Sequence, residues 1–140
     1  MSANGYAGDL MPKEAWAFLA QHEDAVLVDV RTRPEWEFVG VPDLSSLGRE
    51  PLYVEWQIYG VGGNPNFIEQ VASAGMAKDT PILLLCRSGV RSQHGAIALT
   101  QAGFQNCYNI SDGFEGQLDL HRHRGAEGTG WKSSGLPWSQ

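Results

Sequence analysis

Residues 81–92 read P-I-L-L-L-C-R-S-G-V-R-S. Ile82, Leu83, Leu84 and Leu85 run without polar interruption and stop at Cys86. A continuous apolar run suits a strand covered on both faces, as in a parallel sheet. A short polar loop with Arg87, Gly89 and Arg91 follows, then a helix-compatible segment over residues 92–102, closed by Gly103. Strand, cysteine-led loop and helix place a sulfur at the carboxyl end of a buried strand. There it faces loop amides and the positive end of a helix. Gly95, inside that helix, costs up to about 1 kcal/mol relative to Ala and suits close packing on the sheet.

Working outward, residues 25–30, A-V-L-V-D-V, form a second unbroken apolar run with Asp29 near its end. Residues 12–20 read as a first helix: Pro12 suits the first turn, Glu14 the positive end, and Trp16, Leu19 and Ala20 share a face. Residues 31–39 start a short helix with Pro34 in its first turn, and residues 40–50 are loop-like. Residues 52–58 alternate partly and read as one extended segment, broken by G-V-G-G-N-P at 60–65. Asn64 is the expected cap of a helix over residues 66–74, ended by Gly75. Residues 107–110 are a short strand, S-D-G-F-E-G at 111–116 a turn, and residues 121–130 a polar stretch.

Strands alternating with helices predict an α/β fold with a central, mainly parallel sheet flanked by helices. Ligands of such sheets bind at the carboxyl ends of the strands, where Cys86 lies. The 140 residues suit a single domain, expected to be structured from about residue 10 to residue 138, with residues 1–9 a loose lead-in. A net charge of −6 argues against a general nucleic-acid binder. No stretch of about 18 apolar residues exists to suggest a membrane span, and residues 1–10 lack the pattern of a secretory signal. Two cysteines, Cys86 and Cys107, fit a reduced, cytoplasmic setting better than a disulfide framework.

The loop has its own chemistry. A thiolate is the nucleophilic form of cysteine and needs positive potential nearby. The backbone N–H groups of Arg87, Ser88, Gly89, Val90, Arg91 and Ser92 are placed to curl around the sulfur. The helix end adds partial positive charge, and neither arginine loses its charge. Gly89 permits the positive φ that closes such a loop. The same cradle suits an anionic substrate, so the expected substrate is an oxyanion attacked by sulfur.

Three stretches carry a family resemblance. They are L-V-D-V-R-T-R-P-E-W-E at 27–37, C-R-S-G-V-R-S at 86–92, and N-I-S-D-G-F-E-G at 109–116 together with G-W-K-S-S-G-L-P at 130–137. With them the chain resembles the rhodanese family. One departure stands out: the family often has G-H-I-P-G-A after the first motif, and residues 40–44 here read G-V-P-D-L. The resemblance implies a single rhodanese-like domain that works without cofactor or metal. It implies that the Cys86 thiolate attacks the outer sulfur of thiosulfate and keeps it as a persulfide, which cyanide or a thiol then removes. The loop residues 87–92 would bind the small anionic donor. Arg87 is the expected substrate contact, and Arg91 divides its role between substrate and an inward tie. The alternative is a carrier that hands persulfide sulfur to a partner protein. A cysteine phosphatase is disfavoured by spacing: such enzymes use Cys-x-x-x-x-x-Arg, whereas Cys86 and Arg91 are separated by four residues, and the loop holds no Asp as general acid.

Asp29 and Arg31 are expected to form a buried ion pair that supports the loop. His94 reads as a surface or packing residue. His121 and His123, in H-R-H-R, read as part of a solvated basic turn rather than a metal site. Cys107 reads as a small buried residue, with a resolving thiol for Cys86 as the lesser reading. Trp36, Trp56, Trp131 and Trp138 are expected in core or wall positions, with Trp36 or Trp56 at a pocket mouth.

Overall fold

A computed structural model describes residues 5–140. In chain order the elements are β1 (Gly8–Leu10), α1 (Pro12–Gln21), β2 (Val26–Asp29), α2 (Arg33–Phe38), β3 (Val41–Pro42) and β4 (Leu52–Tyr53). There follow β5 (Gln57–Ile58), β6 (Gly62–Gly63), α3 (Phe67–Ala72), β7 (Ile82–Leu85), α4 (Val90–Gln101), β8 (Cys107–Ile110) and β9 (Trp138–Ser139). Five strands form one sheet in the order β1-β8-β7-β2-β4, and every pairing in it is parallel. The apolar runs at 25–30 and 81–85 become its two inner neighbours, β2 and β7, as their lack of alternation requires. Among the described residues no helix is long and apolar enough to cross a membrane.

Side chains alternate across the sheet and build two cores. On one face Val28, Ile82, Leu84 and Cys86 pack with Phe67 and Val71 of α3 and Ala96 and Leu99 of α4. On the other, Leu27, Leu83, Leu85 and Ile110 pack with Ala15 and Leu19 of α1, Phe114 and Trp131. A Cβ built on Gly95 would lie 2.9 Å from Leu84 Cδ2, so the glycine lets α4 sit down on β7.

Several local expectations are corrected. Residues 5–9 are no loose lead-in: Tyr6 is fully buried, and β1 pairs with β8 along Gly8↔Tyr108 to Leu10↔Ile110. An edge strand this short and glycine-led carries no periodic signal, so tertiary contacts decide it. Residues 1–4 of that expected lead-in lie outside the described residues. The inward face of α1 uses Ala15 rather than the exposed Ala20. The segment 52–58 divides into β4, on the sheet edge, and β5, which pairs with β6 in an antiparallel hairpin. Residues 40–50 include β3, which pairs antiparallel with β9, and a 3₁₀ turn at Ser45–Leu47. Asn64 does not cap α3. Its Oδ1 accepts the N–H of Asn66 at 3.0 Å, and the helix starts at Phe67. Finally, α4 begins at Val90, two residues before Ser92, because Gly89 at φ 107° takes the N-cap.

Candidate active site

Cys86 directly follows β7, the middle strand of the five. Its side chain is turned inward, with the residue 1% exposed. The Gly89 N–H donates to Sγ at 3.1 Å, and Ser92 Oγ lies 3.1 Å from the same sulfur. The left-handed φ of Gly89 aims that amide back at the cysteine, which residues with a Cβ rarely achieve. The first turn of α4 follows at once, so the helix dipole adds positive potential at the sulfur. Ser92 Oγ also donates to Asn109 Oδ1 at 2.5 Å, which ties α4 to β8.

The loop is held from behind. The Phe114 N–H donates to the Cys86 carbonyl at 2.8 Å and the Glu115 N–H to the Arg87 carbonyl at 3.0 Å. The Trp131 N–H in turn donates to Gly113 O at 2.8 Å and the Lys132 N–H to Phe114 O at 3.1 Å. Three chain segments are thereby stacked at backbone distance. A Cβ on Gly113 would lie 2.5 Å from Cys86 O and 2.6 Å from the Arg87 carbonyl carbon. Gln117 adds a brace at the loop tip, its Nε2 donating to Ser88 O at 3.1 Å and to Asp112 Oδ1 at 2.9 Å.

The two arginines take different positions. Arg87 has a 47% exposed side chain and meets Glu115 at 3.2 Å. Arg91 makes a two-pronged pair with Glu35 of α2, at 2.7 and 3.0 Å. Burial alone pushes the Glu35 carboxyl up, but the Arg91 guanidinium and the Thr32 backbone and hydroxyl donors outweigh it and hold its pKa at about 2. Glu35 also closes the N-terminus of α2, accepting from the Thr32 N–H at 3.1 Å and the Thr32 hydroxyl at 3.0 Å. Of the other loop residues, Val90 is exposed, and Ser88 and Gly89 are half-buried.

Asp29 and Arg31 form a fully buried pair at 2.7 Å. Arg31 also donates to Gly40 O at 2.8 Å and lies over the Phe114 ring at 4.2 Å. The pair therefore reaches the loop through Phe114, whose N–H holds the Cys86 carbonyl.

Cys107 pairs in register with Ile82, at the start of β7, whereas Cys86 follows its end. Four residues of strand, about 13 Å, separate the two, so Cys107 is out of reach as a resolving thiol. Burial pushes its thiol up to about 11. His94 is exposed. His121 and His123 are exposed too, and their N–H groups converge on Asp119 Oδ1 at 2.8 and 2.9 Å. Among the described residues no group of three or more His, Cys, Asp or Glu is arranged to hold a metal. Trp131 is fully buried, and Trp56 packs edge-on against Phe67. Trp36 lines a cleft of about 670 Å³ with Arg33, Tyr53, Glu55 and Glu69; Cys86 is not part of that lining. Trp138 is 39% exposed and covers Phe114 edge-on.

Sequence reasoning missed Glu35, Glu115 and Asn109 as partners of the loop, and Asp9 behind Asn109. The spacing Thr32-x-x-Glu35 does announce a capping box, but nothing in it announces a partner 56 positions away.

The STR4 middle-domain family model matches residues 8–140. An uncharacterised protein of Rickettsia rickettsii is 40% identical over 126 residues, 89% of this chain and 91% of its own length. The thiosulfate sulfurtransferase GlpE of Glaesserella parasuis is 29% identical over 108 residues, 77% of this chain and 83% of its own. Among solved structures, Rv0390 of M. tuberculosis superposes with a TM-score of 0.88 at 52% identity, covering 96% of this chain and 98% of that one. The rhodanese-like domain of the Anabaena protein Alr3790 shares the fold at a TM-score of 0.57 and 18% identity, over 94% of this chain and 77% of that one.

Proposed function

The chain belongs to the STR4 middle-domain family and has a rhodanese-like fold, and on that premise we propose that it is a sulfurtransferase working through a persulfide on Cys86. The donor in this reading is thiosulfate or a similar small anion, as the name of the GlpE relative supports. The acceptor is cyanide or a thiol, including a thiol on a partner protein. The Cys86 thiolate attacks the outer sulfur of thiosulfate. A new S–S bond forms at Sγ, and the bond to the sulfonate sulfur breaks, its electron pair leaving with sulfite. The acceptor then attacks the terminal sulfur, and Sγ leaves as thiolate.

One observation carries this reading. Sγ sits at the carboxyl end of the central strand with the Gly89 N–H at 3.1 Å, inside a loop only four residues long between Cys86 and Arg91. So small a ring suits a single sulfur atom rather than a phosphoryl group with three equatorial oxygens. Arg91 is already engaged by Glu35 on both prongs, which leaves Arg87 as the guanidinium for the sulfonate. Both cysteines are free, in keeping with a reducing cytoplasm as the proposed compartment.

Intact-protein mass spectrometry after incubation with thiosulfate tests the proposal. The expected result is a gain of one sulfur on the wild type and none on Cys86→Ser. A gain that maps to Cys107, or that survives in Cys86→Ser, would overturn it.

A further inference from the structure

Ser92 Oγ stands between two groups, Cys86 Sγ at 3.1 Å and Asn109 Oδ1 at 2.5 Å. A hydroxyl has one proton, and an amide oxygen can only accept, so the bond to Asn109 uses that proton. The orientation of the Asn109 amide is fixed from its far side. Its Nδ2 donates to Asp9 Oδ1 at 3.1 Å, an oxygen that also accepts from the Tyr6 hydroxyl at 2.8 Å. Gln93 Nε2 donates to the Tyr6 oxygen at 3.1 Å. Every donor in this run points towards the Asp9 carboxylate, from α4 at both ends. Ser92 is fully buried and Asn109 is 5% exposed, so the hydroxyl is confined to these partners.

The consequence falls on the sulfur. Ser92 turns a lone pair, not a proton, towards Sγ. A thiol S–H can donate into that lone pair. A thiolate cannot; the Gly89 N–H serves it in either case, but Ser92 adds a donor only when its hydroxyl swings round, leaving Asn109 Oδ1 without its partner.

We infer that Asp9 and Asn109 are positioning residues for Cys86: they hold the Ser92 proton away from the sulfur and set the cost of turning it back when the thiolate forms. The inference rests on Cys86 being the nucleophile and deepens that reading. No redox partner is needed. The thiol proton goes to solvent base, and the Ser92 proton stays on its own oxygen. The other charges about the loop are Arg91, paired with Glu35 of α2, Arg87, paired with Glu115, and Asp112, which accepts from Gln117. The buried Asp29–Arg31 pair lies on the Phe114 side of the sheet.

The test is the alkylation rate of Cys86 by iodoacetamide at pH 6.5, with peptide mapping to separate Cys107. In this reaction an S–C bond forms and iodide leaves, so the rate follows the thiolate. Asn109→Ala removes the competing acceptor, and Asp9→Ala frees the amide to reverse. Each variant is expected to react about fivefold faster, the factor that one net hydrogen bond makes in an equilibrium. Asp9→Ala lies on the sheet edge, and its melting is followed alongside, so the test stands if Asn109→Ala fails to fold. Removing the Asp9 charge would by itself favour a thiolate, and a Ser92→Ala background isolates that contribution. In that background Asp9→Ala is expected to show only that charge contribution, an acceleration clearly smaller than the one seen with Ser92 present. An unchanged rate in the folded single variants, or the same acceleration without the Ser92 hydroxyl, would overturn the inference. Because no sulfur donor is used, a protein that passes this test yet takes no sulfur from thiosulfate refutes the sulfurtransferase reading alone.

Discussion

Arg87 and Arg91 carry the same charge on the same loop, yet their surroundings assign them different work. Arg91 is 20% exposed and locked to Glu35, whereas Arg87 is about half exposed and shares one contact with Glu115. Arg91→Ala strands a part-buried Glu35 carboxylate, and about 2 kcal/mol of stability should be lost at pH 6 in urea melts. The pH dependence has a definite sign. Glu35 has a folded pKa of about 2, below its usual 4.5, so its contribution is complete above pH 4.5 and is lost as the pH falls towards 2. The gap between wild type and Arg91→Ala should therefore close over that window; a gap unchanged between pH 6 and pH 3 would place the lost stability elsewhere. Arg87→Ala should leave the urea midpoint within about 0.5 kcal/mol of wild type while raising the KM for thiosulfate about tenfold. Unchanged kinetics would remove Arg87 from the donor site. Both arginines and Cys86 are plain in the sequence, because the proposed chemistry is written in one local string. The difference between the arginines is not, because Glu35 lies 56 positions from Arg91 and reaches it only once β2 and β7 are side by side.

At the scale of elements, the site depends on glycines that allow three strands of backbone to touch. Gly113 packs on the Cys86 and Arg87 carbonyls, Gly116 packs on Thr129, and Gly130 packs on Glu115 and Gly116. Gly113 also has φ 59°. Gly113→Ala would drive a methyl into backbone that has no free rotamer to move away. The expected cost is about 3 kcal/mol in the denaturant midpoint, together with loss of sulfur loading on Cys86. A native midpoint in that variant would mean the stack yields more easily than its geometry implies. The motif N-I-S-D-G-F-E-G is readable as a turn from its residues, but its task is not. Which backbone a glycine must approach depends on the loop after β7, some 25 residues earlier by the register of β7 with β8. The strands β2 and β7 are legible for the opposite reason: unbroken apolar runs need only their own composition to declare burial on both faces.

The whole molecule closes on itself at the face of the sheet that carries α1. There β9 pairs with β3, Trp131 lies fully buried with its Nε1 donating to Pro137 O at 2.7 Å, and Lys132 lies over the Trp138 ring at 3.9 Å. Gly40, whose carbonyl receives Arg31, is pressed against Trp138 and the Ser139 carbonyl. The chain's last residues thus clamp the segment that supports the loop after β7, although they are far from Cys86 in sequence. That role is invisible in the sequence, since β9 and β3 are two residues each and β3 holds a proline. Deleting residues 137–140 should cost about 2 kcal/mol, from the lost pairing and the unpaired indole N–H of Trp131. The loss should also be local. In hydrogen exchange followed by mass spectrometry, the amides of Phe114, Glu115, Trp131 and Lys132 should exchange faster, while those of Ile82–Leu85, at the centre of the sheet, keep their protection. The sulfur-loading rate on Cys86 should fall with the protection of Phe114 and Glu115, because their N–H groups hold the loop carbonyls. Uniform loss of protection across the sheet would show the clamp to be a general stabiliser. Unchanged protection at Phe114 would sever it from the loop altogether.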